Sequence, residues 1–177
     1  FSPDQKYVLV PDLGLDKVII YPFAQETGLL HETPAFAFSV RPGGGPRHGV
    51  FSEDGRYFYL LNEIDATIVV IQFQEGVPRE CQVVSALPEG VDGSNNLCAD
   101  IHLTPDGTYL YVSNRGDDSL VCYRVQPKSG LLSYAGYQSC GGKTPRSFGI
   151  DPSGRYLICA NQDSDNIVVF TIDYQTG

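Results

Sequence analysis

Four stretches of the chain repeat one another, and the spacing of that repeat restricts the possible folds more than any other feature. FSPDQKYVLVPDLGLDKVIIYPF begins at Phe1 and FSEDGRYFYLLNEIDATIVVIQF at Phe51. LTPDGTYLYVSNRGDDSLVCYRV begins at Leu103 and IDPSGRYLICANQDSDNIVVFTI at Ile150, so successive starts lie 50, 52 and 47 residues apart. A period near fifty residues is that of one four-stranded propeller blade. The expected fold is therefore all-β, a propeller of four-stranded antiparallel blades, with repeats over about 1–50, 51–102, 103–149 and 150–177.

Each unit reads alike. A turn (Pro3-Asp4-Gln5, Glu53-Asp54-Gly55, Pro105-Asp106-Gly107, Pro152-Ser153-Gly154) opens an aromatic-rich strand that ends at Asp12, Asn62, Asn114 or Asn161. Gly or a small polar residue supplies the backbone freedom such turns need. A second turn holds Asp16, Asp65, Asp117 and Asp165, placed to bond backbone groups. A third, apolar strand follows, then TGLL or SGLL and a polar outer strand. Near-continuous apolar strands suit a sheet covered on both faces by its neighbours. GGGPRHGVF and GKTPRSFGI then carry a Pro-Arg strand, expected to be the innermost of the next blade. The Gly43-Gly44-Gly45 run reads as a blade-to-blade connection, because proline and a strand follow it, not the helix of a phosphate loop. Both ends cut through a blade, leaving about three and a half blades, so closure calls for a missing half or a second copy of the chain.

The motif series S-P-D-G-x-Y, N-x-x-D, T-G-x-L and G-x-x-P-R resembles the lactonase family of seven-bladed propellers. That family includes the propeller type of 6-phosphogluconolactonase and the fungal carboxymuconate cyclase. The stretch Ala99 to Gly107, continued by Ser113-Asn114-Arg115-Gly116, is especially similar to the 6-phosphogluconolactonase type. The resemblance covers the whole chain and implies a complement of seven blades and a lactone as substrate.

Fold alone assigns no chemistry, so the site is sought at positions that vary among otherwise equivalent units. Arg47 and Arg146 align with each other and with Ala99. They read either as forks for a phosphate or carboxylate or as ties to carbonyl groups of adjacent blades. The residue after the strand-end Asp/Asn is Leu13, Glu63, Arg115 or Gln162, which singles out Glu63 and Arg115. The resemblance implies that Arg47 and Glu63, sixteen residues later, match an arginine and a glutamate of the muconate cyclase site. His48 adjoins Arg47, and strand alternation sends the two to opposite faces unless a bulge intervenes. His102 lies in the Ala-Asp-Ile-His stretch; His31 falls on an outer edge.

The expected reaction is hydrolysis of a sugar lactone, 6-phosphogluconolactone foremost. Glu63, His102 and Arg115 are the catalytic candidates, and Arg47, His48 and Arg146 the substrate-binding ones. Glu63 or His102 would take the proton from water, and an arginine would stabilise the oxyanion. Two other readings use the same residues or none: a muconate-type cycloisomerase, and a non-catalytic scaffold for a protein partner. No metal-ligand or nucleotide motif occurs, so no metal and no cofactor are expected. A net charge of −9 with pI near 4.6 argues against nucleic acid and anionic membranes as partners, and leaves a small anionic lactone to be met by a local cluster of arginines. The five cysteines lack CxxC spacing, and Cys81, Cys122 and Cys159 sit in strand-like runs. They read as buried, reduced side chains of a cytoplasmic protein.

Overall fold

Turn chemistry and apolar runs produce strands along the whole chain. The computed structural model describes residues 1–177 as fifteen strands in four antiparallel sheets. The first sheet holds β1 (Tyr7–Asp12), β2 (Lys17–Ala24), β3 (Leu29–Leu30) and β4 (Phe36–Ser39). The second holds β5 (Pro46–Phe51), β6 (Tyr57–Asn62), β7 (Thr67–Gln74) and β8 (Val77–Ser85), in that spatial order. The third runs β9 (Leu97–Leu103), β10 (Tyr109–Arg115), β11 (Ser119–Val125), β12 (Leu132–Ser139). The fourth has β13 (Pro145–Ile150), β14 (Tyr156–Asn161) and β15 (Asn166–Thr171). β9 packs between β5 and β13, so the Pro-Arg strands and their Cys-Ala counterpart form the inner row.

The blades are offset from the repeats. β5 pairs with β6 and β13 with β14, so each inner strand belongs to the sheet of the unit that follows it in sequence. The boundaries at 50/51, 102/103 and 149/150 therefore fall inside blades, beside the turn that joins first and second strands. That turn is closed by a recurring hydroxyl–carboxylate lock. Ser52 Oγ donates to Asp54 (2.7 Å) and accepts from the Tyr57 amide (3.0 Å). Thr104, Asp106 and Tyr109 repeat this at 2.6 and 3.0 Å. Gly55, Gly107 and Gly154 take φ of +70°, +69° and +71° at the tip, where a side chain would be strained.

In the second turn the carboxylates of Asp16 and Asp118 bond backbone amides, whereas Asp65 bonds the side chains of Arg41 and Thr67. The left-handed position is occupied by Asp16, Ala66, Asp118 and Asp165, not by Asp65 or Asp117. Asp16 accepts from the amides of Gly43 (2.8 Å) and Gly45 (2.9 Å), and Asp118 from that of Thr144 (2.8 Å). Each carboxylate thus ties down the loop leading to the next inner strand. Two amides of the glycine run go to Asp16 and the third, that of Gly44, donates to the Arg41 carbonyl, as suits a connection. Before the longer loop 86–96 the position is Ala66, and only its carbonyl is used, accepting from the Ala86 amide (2.7 Å).

Apolar side chains collect between the blades. Leu60, Val69 and Ile71 face the first sheet, beside Val18 and Ile20. Their neighbours Tyr59, Leu61, Ile68 and Val70 face the third, against Ile101, Leu110 and Val121. Tyr109, Tyr111, Cys122 and Leu157 fill the boundary of the third and fourth. All five cysteines are free, and Cys98, Cys122, Cys140 and Cys159 are buried. Cys81 departs from expectation: it lies on outer strand β8 and is exposed, because that strand has solvent on its far side.

Leu61 is fully buried between two blades, so Leu61→Ala leaves a cavity and should cost about 2–5 kcal/mol. Chemical denaturation should show this loss, with little change for Leu15→Ala, whose side chain is exposed. Equal midpoints for the two variants would contradict the inter-blade packing.

Candidate active site

Near its start each inner strand carries a buried residue (Pro46, Cys98 or Pro145), after which the pairing breaks register. In β5 the pairing passes from Pro46↔Asn62 to His48↔Leu61, leaving Arg47 as the extra residue. β13 does the same at Arg146, and in β9 the pairing skips Ala99 and Asp100, opposite Ser113. Such a bulge re-aims the side chains beside it. Arg47 and His48 therefore line one cleft together, whereas simple alternation separates them; Asp100, Arg146, Ser147 and Gln162 line the same cleft.

Beside this cleft two arginines hold one glutamate. Arg47 Nη1 donates to Glu63 Oε2 at 2.6 Å, and Arg115 Nη2 to Oε1 at 2.7 Å. Arg47 Nε also donates to the Ala99 carbonyl (2.7 Å), so the tie to an adjacent blade and the charged fork are one side chain. Arg115 Nη2 bonds the Cys98 carbonyl at 3.0 Å, and its Nε that of Leu97 at 3.2 Å. Position 99 carries only a methyl group where its equivalents carry arginine, and Arg115 reaches across the blade boundary beside it. Gly116, at φ +114°, lets the chain turn beneath loop 86–96, where a Cβ would stand 2.4 Å from the Asn95 carbonyl.

Side-chain exposure is 19% for Arg47, 12% for Glu63 and 13% for Arg115, so the three charges are largely withdrawn from water. Burial alone would raise the Glu63 pKa. The hydrogen bonds from Arg115 and Arg47 outweigh it and hold the carboxyl below its ordinary value. Glu63 is thus a carboxylate with both oxygens engaged, which weakens it as a proton acceptor while fixing the two guanidiniums.

Arg146 and Gln162 repeat the Arg47–Glu63 pair two blades further on, with an amide in place of the acid. Arg146 Nη1 is 3.4 Å from Gln162 Oε1, and its side chain is exposed. No carboxylate pairs with it. His48 is exposed beside it, and its pKa is lowered by partial burial and by the Arg47 charge, which favours the neutral imidazole.

His102 lies deeper on β9, its Nε2 3.3 Å from Asp100 Oδ1 and its ring edge-on to Phe148 at 4.8 Å. Asp100 Oδ2 accepts from Ser147 Oγ (3.0 Å) and from the Phe148 amide (3.3 Å). Burial would raise the Asp100 pKa, but bonds from His102, Ser147 and Phe148 bring it down to about 2. Asp100 and Ser147 were not among the expected site residues. Their signal was in the repeat: the position of His48 in β5 is Asp100 in β9 and Ser147 in β13, the same variation that marks Glu63 and Arg115. His31 lies apart from this cluster, exposed beside β3.

Comparison with known proteins agrees with this architecture. Residues 1–177 match the family described as "Lactonase, 7-bladed beta-propeller". The chain is 36% identical to the 6-phosphogluconolactonase of Bacillus subtilis and 38% identical to that of Formosa agariphila, covering 100% of this chain and 50% of each relative. The periplasmic gluconolactonase of Pseudomonas aeruginosa superposes with a TM-score of 0.91 at 40% identity, over 99% of this chain and 49% of that one. The chain thus spans about half the length of the relatives it matches.

Asp100 supplies a check on the site's electrostatics. Its folded pKa lies below the unfolded value of about 3.9, so the stability it contributes is fully present above pH ~4 and is lost as pH falls toward 2. The melting-temperature gap between the wild type and Asp100→Asn should therefore narrow over that window. A gap independent of pH would contradict the bonding described for this carboxylate.

Proposed function

Because the chain belongs to the lactonase family of seven-bladed β-propellers, we propose that its protein hydrolyses a sugar lactone, with 6-phosphogluconolactone as substrate. One observation carries this reading: Arg47, tied with Arg115 to a single glutamate, shares its cleft with Arg146, which no carboxylate pairs. An uncommitted guanidinium of this kind is the local cation an acidic protein needs to take an anionic sugar.

The substrate enters between the inner strands. Arg146 and His48 meet the phosphate, and the planar guanidinium suits paired hydrogen bonds to its oxygens. Arg47 and Arg115, held rigid by Glu63, present positive charge to the lactone carbonyl. As water adds to that carbon, negative charge gathers on the carbonyl oxygen, and donors fixed in advance stabilise it without reorganising. Glu63 serves catalysis by fixing those donors, and His102 is left to move the proton. The propeller closes through further blades, which cover apolar side chains such as Ile167 and Val169, exposed on β15. Cytoplasmic residence belongs to the same reading, since the four buried thiols carry no disulfide.

The test is acid release from fresh 6-phosphogluconolactone by the full-length protein, corrected for spontaneous opening. Turnover well above background is expected, and its absence sinks the proposal. Arg115→Ala should lower kcat by about 10²–10³-fold, as for loss of one oxyanion donor. Arg146→Ala should reduce kcat/KM for the phosphorylated lactone by roughly 10–100-fold, the worth of a charged hydrogen bond, and spare unphosphorylated gluconolactone. Gln162→Glu should shift the same ratio by neutralising Arg146 while keeping it in place.

A further inference from the structure

Hydrolysis at this site needs a group to take a proton from water, and the structure narrows the choice. Both oxygens of Glu63 are bonded to arginine. Burial pushes the thiols of Cys98 and Cys159 up to about 12 and that of Cys122 to about 11, far from thiolates at neutral pH. Ser147 resembles a nucleophile by type but not by arrangement. Its Oγ donates to Asp100, so the carboxylate stands between serine and histidine and no imidazole receives the hydroxyl proton.

His102 differs in having an orienting partner. Its Nε2 faces Asp100 Oδ1 at 3.3 Å, Phe148 restricts its ring, and the side chain is 41% exposed, so water can reach it. Asp100 is itself fixed across the blade boundary, with Oδ2 accepting from Ser147 Oγ and the Phe148 amide and Oδ1 from the Ile101 amide. A carboxylate so held favours one imidazole tautomer and stabilises the imidazolium that forms.

We infer that Asp100 is a positioning residue: braced by Ser147 and Phe148 of the next blade, it holds His102 with Nε2–H toward its carboxylate and Nδ1 open to move the proton in lactone hydrolysis. This rests on the lactonase reading above. Nδ1 takes a proton from water as the water oxygen bonds the lactone carbonyl carbon, and the carbonyl electron pair moves onto its oxygen. When that pair returns, the bond from the carbonyl carbon to the ring oxygen breaks. The ring oxygen takes the proton from the His102 imidazolium, which leaves the open hydroxy acid and a neutral imidazole. The groups that face His102 are Asp100 and, across from it on β10, Tyr111, with His48 on β5 and Phe148 on β13. Of these, Asp100 is the carboxylate within ion-pair distance of the ring.

The experiment joins imidazole ¹⁵N spectra with kinetics on the full-length protein. Wild-type His102 should carry its proton on Nε2 in the neutral form. His102→Ala should lower kcat by about 10²-fold or more. Asp100→Asn should lower kcat with KM little changed and alter the tautomer balance of His102, because the carboxylate that faced Nε2 is gone. If Asp100→Asn fails to fold by circular dichroism, Ser147→Ala keeps the carboxylate and should lower kcat several-fold with the same shift in tautomer balance. An Nδ1–H tautomer in the wild type, or full activity in His102→Ala, overturns the inference and leaves the lactonase reading standing. A wild type that hydrolyses neither lactone overturns both.

Discussion

Every sheet of this protein has two apolar faces, and the rest of the structure follows from the need to cover both. A strand such as β7 sends Ile68 and Val70 to one side and Val69 and Ile71 to the other, each set buried in a different boundary. No sheet completes a core by itself, so the cores lie between blades, and a sheet is stable only when its neighbours flank it. This places the inner strands side by side, with their edges turned to a common axis.

That arrangement makes the candidate site a property of blade boundaries. Glu63 is on the second blade and Arg115 on the third; Asp100 is on the third, and Ser147 and Phe148 on the fourth. The bulge at the start of each inner strand gives the site its material, because it frees a residue from the ladder where the strand meets the axis. The loops before β5 and β13 are tied down by Asp16 and Asp118, so the bulged residues start from anchored backbone.

The same repeat position does different work in different blades. Arg47 faces Glu63, whose single charge it shares with Arg115; Arg146 faces Gln162 and has no carboxylate partner. Ala99 stands where a third arginine would, and Arg115 approaches past it. A near-symmetric scaffold thereby carries an asymmetric charge pattern, with a bound ion pair, an uncommitted cation and a carboxylate–imidazole pair along a single row. The long-range field of an acidic surface does not prevent this, because a partly buried cluster is set by its nearest partners.

The sequence alone determined the fold class, the four units, the inner place of the Pro-Arg strands and the columns in which Glu63 and Arg115 stand out, because turn chemistry and apolar spacing recur at a fixed period and local rules decode them. It also contained the variation at His48, Asp100 and Ser147, yet that column has no meaning until the blades stack, since Asp100 finds its partners 47 and 48 residues away. That Asp118 and not Asp117 bonds the next loop, that Asp65 bonds side chains, and that Cys81 is exposed depended likewise on which groups lay opposite. Only the tertiary structure decided that Arg47 and His48 share a cleft, because a bulge changes side-chain direction without marking the sequence. It alone also decided that both oxygens of Glu63 are occupied, because that bond count depends on an arginine from another blade.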